Sequence, residues 1–161
     1  MIFVTVGTHE QQFNRLIQYI DELKTDEEVF IQTGYSTYLP EHCRYKEMIG
    51  YKEMLYYFRK ADIIITHGGP GSIILAMQQK KIPIVVPRQQ KFGEHINDHQ
   101  VDFAKRLERE NKIIPVYDIS NLGRCICQYK EICARKSVEN YSNNESFNKE
   151  FQKLVDHLFV N

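Results

Sequence analysis

The sequence predicts an α/β fold, a parallel sheet flanked by helices, and three observations carry that prediction. Short apolar runs recur along the chain, continuous enough for strands buried on both faces. The intervals between them show helical spacing, as crossovers between parallel strands require. One unit is complete: Ile63, Ile64 and Ile65 run into the glycine-rich turn Gly68-Gly69-Pro70-Gly71, a helix begins at about residue 72, and a second apolar run covers residues 82–86.

The remaining elements follow in order. Residues 2–6 read as a buried first strand that closes in the turn Gly7-Thr8-His9. Phe13, Leu16, Ile17 and Ile20 share one helical face within residues 13–23, and residues 29–32 form a second strand ended by Thr33-Gly34. A short third strand is expected at residues 45–49; Met54, Leu55 and Phe58 mark a short helix, and residues 61–66 form the strand of the complete unit. A helix is expected over residues 95–110, with Ile96, Gln100, Val101, Ala104 and Leu107 on its packed side. A sixth strand follows at residues 113–116. After a polar interval, Phe147, Phe151, Leu154, Val155, Leu158 and Phe159 predict a last helix near residues 145–160, which either packs on the sheet or docks to a partner. The 161 residues are expected to make one domain with a sizeable core.

Composition excludes several classes of function. Lys and Arg number 21 and Asp and Glu 21, so charge offers no argument for a nucleic-acid partner. No apolar run approaches the roughly 18 residues of a spanning helix, and the opening MIFVTVG has no leader pattern, so the expected location is cytoplasmic. Cys43, Cys125, Cys127 and Cys133 form no pair of CxxC knuckles, and reduced thiols are expected. The glycine turn lacks the GxGxxG spacing of a dinucleotide site, and no GxxxxGK[ST] loop is present.

What remains is the chemistry of residues 66–100. A parallel strand emptying into glycines at a helix N-terminus presents free backbone N–H groups and the positive end of the helix dipole, which suits a phosphate. His67 and Ser72 flank that turn and add side-chain donors, although His67 serves equally well as a structural donor and Ser72 as an ordinary first-turn residue. Asp98, His99 and Gln100 supply groups of the kind that read sugar hydroxyls, provided that they sit at the first turn of their helix. His95 and His99 have i, i+4 spacing, but HINDH lacks the Glu and third ligand of a zinc-protease motif, so no metal is assigned. Together these residues suggest recognition of a nucleotide diphosphate sugar.

Residues 66–100 and the opening FVTVGTHEQQFNRLI resemble the small single-lobe glycosyltransferases of bacterial capsule and exopolysaccharide synthesis. They are also similar to the catalytic subunit of the eukaryotic dolichol-pathway N-acetylglucosamine transferase, and more distantly to the C-terminal lobe of family 28 enzymes. The resemblance implies a Rossmann-like sheet of the GT-B donor-lobe type and a UDP-sugar-dependent hexosyltransferase. By position it places the donor site on Gly7, Thr8, His67, Gly68, Gly69, Gly71, Ser72, Asp98, His99 and Gln100, with His9 as the candidate catalytic residue. Where many relatives carry a ribose-binding Glu this chain has Leu75 and Ala76, which leaves Glu94 or Asp98 for that contact.

Family resemblance further implies inverting transfer to a lipid-linked acceptor, with no cofactor and no metal, since no DxD-type motif is present. A membrane-anchored subunit is expected to supply the acceptor lobe and to hold the chain peripherally at the inner face of the membrane. The alternatives from the residues alone are a non-catalytic UDP-sugar-binding stimulatory subunit and a UDP-sugar epimerase, the latter disfavoured by length.

Overall fold

The computed structural model describes residues 1–136 and Lys153. Six parallel strands lie in the order β3-β2-β1-β4-β5-β6: β1 (Ile2–Thr5), β2 (Val29–Gln32), β3 (Arg44–Lys46), β4 (Ile63–Thr66), β5 (Ile84–Val85) and β6 (Ile114–Pro115). The helices are α1 (Asn14–Glu22), α2 (Tyr51–Lys60), α3 (Pro70–Gln78), α4 (His99–Arg109), α5 (Leu122–Cys127) and α6 (Tyr129–Arg135). This is the predicted parallel sheet flanked by helices.

Strand periodicity divides the core in two. Ile2, Val4, Val6, Val29, Ile31 and Ile65 point to one side, where they meet Leu16, Ile17 and Ile20 of α1 and Phe103, Ala104 and Leu107 of α4. The alternating Phe3, Phe30 and Ile64 meet Tyr57 and Phe58 of α2 on the other. There Phe30 and Tyr57 stack with ring centroids 4.1 Å apart. Central strands buried on both faces explain the continuous apolar runs.

Several boundaries depart from expectation, each for a local reason. The third strand is Arg44–Lys46 instead of residues 45–49. Past Lys46 the chain serves the turn after β2 instead, with Gly34 N donating to Glu47 O (2.9 Å). Helix α3 starts at Pro70, which sits at the first helical position where its missing N–H costs nothing. Pro83 brackets β5, whose ladder covers two residues.

The largest correction concerns residues 95–98, which were expected in a helix and lie in turns. Asn97 Oδ1 accepts from His99 N, Asp98 Oδ1 accepts from Gln90 N, and Gly93 adopts φ +66°. Helix α4 therefore begins only at His99, and Ile96, expected on its packed side, is 70% exposed. With His95 outside the helix, the i, i+4 relation to His99 has no helical meaning. Helices α5 and α6 have no counterpart in the sequence reading. The expected last helix lies outside the described residues.

Candidate functional site

Crossovers leave β1 and β4 in opposite directions along the sheet, which makes the gap between these neighbours the topological switch point where open parallel sheets bind ligands. Thr5 pairs in register with Thr66, so the turn at residues 7–9 and the turn at residues 68–71 stand side by side at the carboxyl ends of their strands.

His67 fills the space between the two turns. Its residue is 9% exposed, and its backbone N–H donates to Thr5 O at 3.2 Å. A Cβ on Gly7 would lie 2.5 Å from the imidazole Cε1, and one on Gly69 would lie 2.1 Å from Nε2. Gly7 also holds φ +75°, a conformation that side chains rarely adopt. Glycine at positions 7 and 69 is thus required by the packed ring itself, whereas a Cβ on Gly71 would meet nothing within 4 Å. Burial, reinforced by the Arg88 charge, pushes the His67 imidazole down to a pKa of about 3, so it is neutral at physiological pH.

Two glutamine amides fix the turns from outside. Gln32 Nε2 donates to Gly7 O (3.0 Å) and Glu47 O (2.9 Å), while its Oε1 accepts from Thr5 Oγ1 (2.6 Å). Gln100, in the first turn of α4, accepts through Oε1 from both Gly68 N and Arg88 N at 3.0 Å. No side chain caps the N-terminus of α3, and Ser72 sits in its first turn. The free N–H groups and the hydroxyl there are suited to an anion.

Below the crevice lies a charge cluster that the sequence reading missed. Arg88 is fully buried; its Nη1 donates to Gln11 O (2.8 Å), Gln12 O (3.0 Å) and Glu94 O (3.1 Å), and its Nη2 to Val6 O (2.8 Å). Arg15 forks onto Glu94 at 2.8 and 2.9 Å and stacks on Phe92 at 4.6 Å. Glu94 also accepts from Gln89 N at 3.0 Å. Two guanidinium groups against one carboxylate leave one positive charge in excess. The signal available in sequence was an arginine directly past a strand end, at the ligand-binding edge of the sheet.

The predicted site residues separate accordingly. Gly7, Thr8, His9, His67, Gly68, Gly69, Gly71, Ser72 and Gln100 gather around the switch point. Glu94 does not open into it, because its carboxylate is fully buried and shared between Arg15 and Gln89. Asp98 is exposed and has one oxygen on Gln90 N, and His99 is exposed at the start of α4. His9 accepts through Nδ1 from Gln11 N (3.2 Å), so its neutral ring carries the proton on Nε2. Among the described residues, no three His, Cys, Asp or Glu side chains are grouped to hold a metal.

The strand order, with its switch point between β1 and β4, defines a Rossmann-like α/β lobe of the kind found in GT-B glycosyltransferases. The chain belongs to the glycosyltransferase family 28 C-terminal domain family, which it matches over residues 1–158. It is 31% identical over 151 residues to the human (Homo sapiens) UDP-N-acetylglucosamine transferase subunit ALG13, covering 83% of this chain and 12% of that protein. The mouse (Mus musculus) protein of the same name is 30% identical over 123 residues, covering 69% and 10%. The chain thus spans about a tenth of the length of these relatives. Among solved structures, the glycotransferase of kitacinnamycin superposes with a TM-score of 0.62 at 16% identity, covering 98% of this chain and 43% of that one.

Proposed function

We propose that the chain is the donor-binding subunit of a two-component inverting glycosyltransferase that moves a sugar from a UDP-sugar to a lipid-linked acceptor in capsule or exopolysaccharide synthesis. The observation that carries this reading is the meeting of two glycine turns and the uncapped α3 N-terminus at the β1/β4 switch point, in a chain of the family 28 class. Backbone N–H groups of the turns and the Ser72 hydroxyl take the diphosphate, and the helix dipole offsets the charge that develops on the leaving UDP. Asp98 and His99, exposed beside Gln100 at the start of α4, are assigned to the donor hydroxyls.

The names of the mammalian relatives make UDP-N-acetylglucosamine the first donor to test and make a second subunit the expected source of the acceptor lobe. That subunit would also hold the chain peripherally at the cytoplasmic membrane face. Action as a base would require His9 to exchange its Nε2 proton for one on Nδ1 and to lose the Gln11 contact, so deprotonation of the acceptor hydroxyl is assigned to the other lobe. In calorimetric titrations of the chain with UDP and UDP-N-acetylglucosamine, Ser72→Ala should weaken binding by about 1–2 kcal/mol, one hydrogen bond to a charged group. Equal affinity in variant and wild type would remove the phosphate from this turn. Binding by a complex that never transfers sugar would favour the non-catalytic, stimulatory role.

A further inference from the structure

Two imidazoles meet at the rim of the crevice on loops distant in sequence. His9 belongs to the turn after β1 and His95 to the turns between β5 and α4, and their ring centroids are 4.6 Å apart with 37° between planes. Each ring is held by its own loop through Nδ1, with Gln11 N donating to His9 at 3.2 Å and Asn97 N to His95 at 3.4 Å. An imidazole nitrogen that accepts a hydrogen bond carries no proton, so both neutral rings have theirs on Nε2. Neither Nε2 has a hydrogen-bond partner among the described residues.

The surroundings make the place positive and disfavour a proton on His95. Arg88 bonds the backbone of both loops, through Gln11 O and Gln12 O on one side and Glu94 O on the other. Its Nε is buried without a partner, as is Nη1 of Arg15. Burial, then His9 and Arg88, hold the His95 imidazole below its ordinary value, with His99 opposing protonation as well. Of the carboxylates in these loops, Glu94 is engaged by Arg15 and Gln89 and Asp98 by Gln90 N, while Glu10 beside His9 is exposed to solvent.

We propose that His9 and His95 form a paired N–H donor site for the diphosphate of a nucleoside diphosphate ligand, with both rings acting as neutral imidazoles. The pair rests on the donor-binding reading above and adds His95 to it. Two fixed Nε2–H donors beside an excess buried guanidinium charge suit a ligand oxygen that is negative and accepts from more than one direction.

Calorimetric titration of the full chain with UDP and UDP-N-acetylglucosamine tests the pair, using His9→Leu, His95→Leu, His9→Gln and His95→Gln. Glutamine keeps an N–H near the Nε2 position and leucine does not. Each Leu variant should weaken UDP binding about tenfold or more, and each Gln variant should stay within about threefold of wild type. Circular dichroism verifies that each variant is folded. UDP-N-acetylglucosamine carries no phosphate proton that titrates near neutrality, so its binding heat at pH 7 should not depend on the buffer's ionisation enthalpy. Wild-type binding unchanged in both Leu variants, or uptake of about one proton per ligand, would overturn the pair while leaving the donor-binding reading intact. Failure of the wild-type chain to bind either ligand would overturn both.

Discussion

His67 shows most directly how a side chain read as a ligand contact also acts as structure. In the fold its pKa is about 3 against an ordinary 6.5. Because the folded value is the lower one, the unfolded chain binds the extra proton first as pH falls below 6.5, and stability is lost through that window down to about pH 3. The slope is at most about 1.4 kcal/mol per pH unit for one such group. Urea unfolding at pH 7, 6 and 5 should therefore show declining stability, and His67→Gln should flatten that decline. An equal slope in the variant would place the acid sensitivity elsewhere. The sequence offered no way to choose between the structural and ligand readings of His67, because the decisive fact is the distance from its ring to Gly7 and Gly69.

At the scale of elements, the termini of helices carry information that apolar periodicity does not. The C-terminus of α2 is closed by Lys81, a residue after α3, whose Nζ donates to Phe58 O (2.7 Å), Arg59 O (2.7 Å) and Ala61 O (2.5 Å). A cation there satisfies carbonyls that have no intrahelical partner and opposes the negative end of the helix dipole. Lys81→Met should cost about 1–2 kcal/mol in chemical denaturation with the sheet intact, and a loss below about 0.3 kcal/mol would mean that water replaces the cap. The central strands were legible because burial on both faces writes itself as unbroken apolar runs, whereas β3, exposed along Arg44–Lys46, carries no such run. Residues 95–98 were not legible, because their spacing imitates a helix while the His95 and Asn97 side chains bond the local backbone. Arg88 escaped for a related reason: its four carbonyl partners come from three separated segments, an arrangement that exists only after folding.

For the whole molecule the question is what one lobe accomplishes alone. At the proposed donor site the described residues bound a ligand on one side, and transfer requires exclusion of water and a positioned acceptor. The purified chain is expected to bind UDP while transferring little or no sugar, with activity appearing when a membrane-bound second subunit is added. That activity should survive EDTA, since N–H groups and the helix dipole are proposed to take the leaving-group charge. Robust transfer to a lipid acceptor by the chain alone would end the two-subunit reading, and loss in EDTA that is restored by magnesium or manganese would end the metal-free mechanism.

The imidazole wedged between two glycines ties the identities of those positions together. Gly69→Ala would drive a methyl carbon to 2.1 Å from His67 Nε2 and should cost about 1–3 kcal/mol. In a His67→Ala background the same methyl enters vacated space, so the cost should shrink and a double-mutant cycle should return a coupling of about 1–3 kcal/mol. Additive effects would mean that the ring yields and the glycine answers to something else. If the coupling is found, alanine at position 69 becomes tolerable only in chains that have already lost the histidine. The two sites would then change together or stay fixed together, an epistatic pair in the floor of the crevice.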